Sequence, residues 1–197
     1  MSKHPYTLPA GWAEDLGEAV RVMREGGLIL YSTDTIWGIG CDATNAEAVQ
    51  KVFALKQRTD SKALISLVEN DAMLQRFVAN VPEVAWSLIE CADKPLTIIY
   101  DTPRGLAANL LAEDGSAALR VTQEEFSKQL CRRMRGPVVS TSANVSGRPA
   151  PKRFGDITDD ILSGVDYVCK ARRREKGGAS ASSILKLTND AQVTIIR

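Results

Sequence analysis

Short apolar runs alternate along this chain with stretches whose apolar residues recur at helical spacing, and that interleaving restricts the fold more than any other feature of the sequence. Leu16, Ala19, Val20 and Met23 follow i, i+3, i+4, i+7 spacing and stop at Gly26-Gly27, which predicts an amphipathic helix closed by glycine. Asn45 is placed to cap a second helix with Val49, Val52 and Phe53 inside and Lys56 and Arg58 at its end. Further helices are expected near Asp71–Val78, Glu83–Ala92 and Glu124–Met134. Strands are expected at Leu28–Tyr31, Ala63–Val68, Leu96–Tyr100, Ala117–Val121, Pro137–Ser140, Val165–Cys169, Ser183–Leu187 and Val193–Ile196. This pattern predicts an α/β fold, and the uneven connections point to a twisted, mixed open sheet flanked by helices. Neither G-x-G-x-x-G nor G-x-x-x-x-G-K-[ST] is present, so any nucleotide must be held by other means.

No repeat or low-complexity linker divides the 197 residues, so one domain spanning 1–197 is expected. At 44% hydrophobic and 25% charged, the composition excludes disorder, collagen and coiled coil. The longest apolar stretches fall well short of the roughly 20 residues that span a bilayer, and the first residues contain no signal-peptide core, so a cytoplasmic location without membrane contact is expected. Cys41, Cys91, Cys131 and Cys169 lie far apart and the one histidine is His4, which argues for reduced packing thiols and no protein-held metal.

The near-neutral total hides an asymmetry: residues 1–98 carry 9 basic and 13 acidic side chains, residues 99–197 carry 16 and 11. Arg132, Arg133, Arg135, Arg148, Lys152, Arg153 and Lys170 through Arg174 supply much of the excess. Such a cluster can hold nucleotide phosphates or RNA, or it can be a solvated face. Arg132, Arg133, Arg172, Arg173 and Arg174 are read here as the latter, because no aromatic stacking residues accompany them.

Four segments gather small polar and cationic residues beyond predicted strand ends, where open α/β sheets place ligands. The turn Ser32-Thr-Asp-Thr35 offers hydroxyls, although such turns also satisfy only their own backbone. Lys56-Gln-Arg58-Thr-Asp-Ser-Lys62 suits an anion, or a helix end complemented by cations. Ser140-Thr-Ser142-Ala-Asn144, followed by Arg148 and Lys152, sets neutral donors beside positive charge. Gly177-Gly-Ala-Ser-Ala-Ser-Ser183 can close over a ligand with free amides, or is simply a flexible glycine loop.

Taken in order, Tyr31-x-Thr-Asp-Thr-x-Trp-Gly-x-Gly40, Lys56-x-Arg58, Leu119-Arg-Val121 and Ser140-Thr-Ser-Ala-Asn-x-Ser-Gly147 resemble the YrdC family of threonylcarbamoyl-adenylate synthases over nearly the whole chain. The resemblance implies a concave, positively charged pocket and the short form of the family, without an added C-terminal domain. It implies condensation of L-threonine, bicarbonate and ATP, with Mg2+ on the triphosphate, into threonylcarbamoyl-adenylate and pyrophosphate. A partner enzyme would then pass the group to tRNA, with direct tRNA contact a further possibility.

By position in those motifs, the resemblance assigns Thr35, Ser66 and Arg120 to threonine. It assigns Arg58, Lys62, Ser116, Ser140, Ser142, Asn144, Lys152, Ser182 and Arg197 to the nucleotide, and Lys56 with Arg58 to the transferring phosphoryl group. The sequence departs from the family pattern at Ser32, where proline is usual, at Asp93-Lys94-Pro95, which is shortened, and at Ala181 in the glycine loop. Two other readings stay open: an RNA-binding protein without chemistry, and a relative resembling the YciO paralogues with another acceptor.

Overall fold

The computed structural model describes residues 8–57, 64–175 and 181–197. Arg58 and Lys62 therefore lie outside the described residues, as does His4.

Helix α1 (Trp12–Arg24) buries Leu16, Ala19, Val20 and Met23 and ends where Gly26, at φ 77°, donates to Met23 O and Gly27 to Val22 O. Its left-handed backbone there is one that a side chain disfavours, which explains the glycine. Strands β1 (Ile29–Ser32) and β2 (Trp37–Gly40) form an antiparallel hairpin. Helix α2 (Ala46–Leu55) starts at Asn45, whose side chain accepts from the amides of Glu47 and Ala48. Then follow β3 (Ile65–Val68), α3 (Asp71–Phe77), α4 (Glu83–Cys91), β4 (Leu96–Tyr100), β5 (Ala117–Val121) and α5 (Glu125–Met134). The chain closes with β6 (Val138–Ser142), α6 (Asp159–Gly164), β7 (Tyr167–Val168), β8 (Ser183–Leu187) and β9 (Val193–Ile195).

Among the described residues, nine strands make one sheet in the order β7-β1-β2-β6-β3-β5-β4-β8-β9. β1/β7, β3/β5 and β4/β8 are parallel pairs and the other neighbours antiparallel, so the sheet is mixed as expected. Alternation along the strands feeds two cores. Ile29, Tyr31 and Val138 enter one with α1, α3 and α5; Leu28, Leu30 and Val139 enter the other with α2 and α6. Trp12 meets Phe126 edge-on at 5.2 Å, joining α1 to α5. Among the described residues no helix is long and apolar enough to cross a membrane.

Four elements differ from the sequence expectation. β6 runs on to Ser142, so its serines sit on a strand, β7 is two residues long, and α6 lies where no helix is expected. The fourth is β2, whose two glycines argue against a strand. The structure gives their reason. A Cβ on Gly40 would come within 2.6 Å of the Tyr31 ring and 3.0 Å of Val139 O. Tyr31 cannot yield, since it is fully buried and its hydroxyl donates to that same carbonyl at 3.1 Å. Gly40→Ala is expected to destabilise by about 2 kcal/mol through overpacking. A denaturant midpoint equal to wild type would count against this account.

Candidate active site

The β1–β2 turn is built by one hydroxyl. Thr33 Oγ1 accepts from the amides of Thr35 (3.1 Å) and Ile36 (3.2 Å), donates to Ile36 O (2.7 Å) and lies 3.0 Å from Thr35 Oγ1. Between them Asp34 turns toward β5, where its Oδ1 is 2.8 Å from Arg120 Nη2 and its Oδ2 accepts from Thr122 Oγ1 at 3.3 Å. The Asp34 and Arg120 side chains are 9% and 2% exposed, so the pair is screened little by solvent. Arg120 Nε has no hydrogen-bond partner among the described residues.

Thr33, Thr35 and Arg120 share a cavity of about 480 Å³ with Ser140, Thr141 and Ser142 of β6. Its other wall is Ser182 and Ile184 with Ile196 and Arg197. Ser182 Oγ is paired with Thr97 Oγ1 at 3.0 Å in the sheet interior, and the Arg197 guanidinium donates to Ser182 O at 3.2 Å and 3.3 Å. Backbone bonds between Ile184 and residues 196 and 197 bring Arg197 there. A hollow of about 720 Å³ beside α4, lined by Asp71, Trp86, Glu90 and Lys94 among others, is larger but contains none of the candidate site residues. Convergent hydroxyls and guanidinium groups, rather than size, mark the smaller cavity as the candidate site.

The cavity thus brings together Thr35, Arg120, Ser140, Ser142, Ser182 and Arg197. Ser66 is buried in β3 outside its wall. Ser116 bonds Asp114 at 2.6 Å through its hydroxyl, and Asp114, also paired with Lys186, is held below the usual carboxylate range. Lys152 is exposed and outside the wall. Lys56 is 2% exposed, and its Nζ donates to Ser142 O (2.6 Å) and Asn144 O (2.7 Å). It therefore ties the end of α2 to the end of β6. Asn144 bridges back to the carbonyls of Val145 and Arg148, while its own Oδ1 is buried without a hydrogen-bond partner among the described residues.

Sequence reading did not single out Asp34, Thr122 or Glu124. The available signal was an aspartate inside a hydroxyl turn and an arginine inside an apolar strand, two residues that call for one another. The basic cluster also divides. Arg132 pairs with Glu69 at 2.6 Å, and Arg24 donates to Arg133 O at 2.7 Å beside it. Arg172 and Arg173 are drawn into the fold rather than solvated: Arg173 donates to Cys169 O at 2.7 Å and covers the Phe154 ring at 4.9 Å.

Among the described residues, no cluster of three or more His, Cys, Asp or Glu could hold a metal. All four cysteines are free; Cys41, Cys131 and Cys169 are buried, and burial pushes the Cys131 thiol up to about 12, away from the reactive thiolate. The polar groups that the cavity wall presents among the described residues are hydroxyls and the two guanidinium groups of Arg120 and Arg197.

The Sua5/YciO/YrdC family model, described as "Telomere recombination", matches residues 21–197. A threonylcarbamoyl-AMP synthase of Pseudomonas aeruginosa is 37% identical over 155 residues, covering 74% of this chain and 83% of its own. One from Idiomarina loihiensis is 31% identical, covering 78% and 84%. Among solved structures, E. coli YciO is similar with a TM-score of 0.81 at 22% identity, over all of this chain and 95% of its own. P. abyssi Sua5 in complex with L-threonine has a TM-score of 0.83 at 22% identity, and this chain spans 55% of that one. Both structures bear on fold alone. From the extent of the family match and the shared length with the P. aeruginosa relative, the chain belongs to the Sua5/YciO/YrdC family.

Proposed function

We propose that this chain is an L-threonylcarbamoyl-AMP synthase. The observation that carries the reading is the meeting, in one cavity, of the Thr33–Thr35 turn and Arg120 with the β6 hydroxyls and Arg197, in a chain 37% identical to an enzyme of that name. The threonine amine adds to carbon dioxide derived from bicarbonate, giving a carbamate. A carbamate oxygen then attacks the α-phosphorus of ATP, forming an O–P bond as the bond to pyrophosphate breaks. No enzyme nucleophile is required, so the protein's work is to hold two anions in line and offset the developing charge.

In this reading Thr35 and Arg120 orient threonine, with Ser66 supporting β3 behind them. Ser140, Ser142, Ser182 and Arg197 face the nucleotide, and Asn144 shapes the loop that follows β6. Ser116 and Lys152 contribute from the periphery. Arg58 and Lys62 bind phosphates, and Lys56 acts through the β6 end that it tethers. Mg2+ fits as an ion carried by the triphosphate, since the donors available in the cavity are hydroxyls and guanidinium groups. The protein works in the cytoplasm as a nucleotidyltransferase, away from membranes. It hands its product to a threonylcarbamoyl-transferring enzyme, with tRNA contact confined to that handover.

Pyrophosphate release from ATP is expected only when threonine and bicarbonate are both supplied. Release that ignores threonine would end this reading in favour of a YciO-like relative with another acceptor, and RNA binding without turnover would favour a binding protein. Threonine should also outcompete serine, because Ile36, Leu64 and Ile65 share the cavity wall with Thr35 and can enclose its methyl group. One methyl contributes about 1–3 kcal/mol, so serine is expected to be a poor substrate rather than an inert one. Equal kcat/KM for the two amino acids would remove this pocket assignment.

A further inference from the structure

The geometry points to Arg172 as a positioning residue for the amino-acid end of the cavity, acting on the turn that carries Thr33 and Thr35; the inference rests on the proposed function. Arg172 follows β7 and is not part of the cavity wall. Its Nη1 donates to Thr33 O at 3.1 Å and lies 3.4 Å from Glu124 Oε1, and Glu175 Oε2 is 2.7 Å from its Nε and Nη2.

Those contacts close a ring. Glu124 caps α5 by accepting from the amides of Phe126 and Ser127, and its own amide donates to Thr122 Oγ1 at 3.3 Å. Thr122 Oγ1 in turn donates to Asp34, which is the residue after Thr33 and the ion-pair partner of Arg120. Thr33 and Asp34 are consequently held on both sides of one peptide bond: the carbonyl of the first by Arg172, the carboxylate of the second by Arg120 of β5 and by Thr122. The guanidinium meets the Thr33 carbonyl and two carboxylates from one rigid planar fork, whereas an ammonium offers its three donors as a mobile point charge with no fixed plane.

A second observation points the same way. Arg172 has φ 60°, a left-handed conformation unfavourable for a side chain of this kind. Residues kept in such conformations are over-determined by their surroundings and collect at functional sites. Nearby Arg174 is exposed and makes no side-chain hydrogen bond or ion pair among the described residues, so exposed charge in this segment does not by itself require the arrangement.

The test compares Arg172→Met, Arg172→Lys and Arg174→Gln with wild type in steady-state pyrophosphate release, titrating threonine and ATP separately, with thermal melts alongside. For Arg172→Met the threonine KM should rise on the order of tenfold while the ATP KM stays within about twofold. Arg172→Lys should fall between it and wild type, and it carries the test if the methionine variant does not fold. Arg174→Gln should match wild type. A rise shared equally by both substrates, or a lowered melting temperature with threonine KM unchanged, would overturn the inference and assign Arg172 to stability alone. Wild type without threonine-dependent release would instead overturn the proposed function, and the inference with it.

Discussion

Arg120→Ala should abolish threonine-dependent pyrophosphate release and lower the unfolding free energy by about 3–5 kcal/mol, the range for breaking a buried ion pair from one side. The loss has two separate origins. In stability, the truncation removes the ion-pair partner of the nearly buried Asp34 carboxylate and leaves it, among the described residues, the Thr122 hydroxyl at 3.3 Å to answer its charge. In function, it removes a guanidinium from the cavity wall and frees the turn that carries Thr35. The double variant Arg120→Ala with Asp34→Ala separates them, because it removes the stranded charge without restoring the site. It should recover much of the stability, measured by urea denaturation, and none of the turnover. Retention of threonine-dependent turnover by Arg120→Ala would refute the assignment, and a double variant no more stable than the single one would refute the energetic argument.

Asp15→Ala should be the more damaging change far from the cavity. Asp15 sits in the first turn of α1 at 3% exposure and accepts from Tyr167 OH (2.8 Å), the Lys170 amide (2.8 and 2.9 Å) and the Ala171 amide (2.7 Å). One carboxylate thus fastens the edge strand β7 and the chain beyond it to α1. Removing it strands two amides and a hydroxyl; at roughly 1–3 kcal/mol for each buried group left unpaired, a loss of about 4 kcal/mol is expected. Hydrogen exchange should accelerate first at Lys170 and Ala171, well before the β3–β5 centre. Uniform loss of protection across the sheet, or an unchanged melting temperature, would contradict the local clamp. Arg172 lies one residue beyond Ala171, so a partial rise in threonine KM should accompany the change.

Much of this was legible in the chain because it depends on neighbours in sequence. The apolar spacing of Leu16, Ala19, Val20 and Met23 sets α1, Asn45 caps α2, and the apolar runs mark seven of the nine strands closely. The exceptions are glycine-bearing β2 and β7, which is shorter than its apolar run and is an edge strand paired on one side only. What could not be read depends on partners remote in sequence. Gly40 is glycine because Tyr31 and Val139 press on it, and Lys56 loses the look of a free phosphate-binding cation because Ser142 and Asn144 present carbonyls to it. Arg172 belongs with Thr33 through a contact that spans 139 positions. Motif matching placed Ser140, Ser142 and Arg197 near the site, but it had no means of distinguishing Ser116, occupied by Asp114, from a residue on the cavity wall.

The sheet order also governs how the protein can be assembled during synthesis. β2 and β3 are consecutive strands, yet they do not pair; β6 lies between them, bonded to both. A chain emerging N-terminus first therefore carries two open strand edges until residues 138–142 are released, and open edges are where chains pair wrongly. One strand then closes both edges together. Because that strand also bears Ser140 and Ser142, the union of the two halves of the sheet brings the β6 hydroxyls to Thr33, Thr35 and Arg120 in one event, and the pocket is completed later, when β8 and Arg197 supply its other wall.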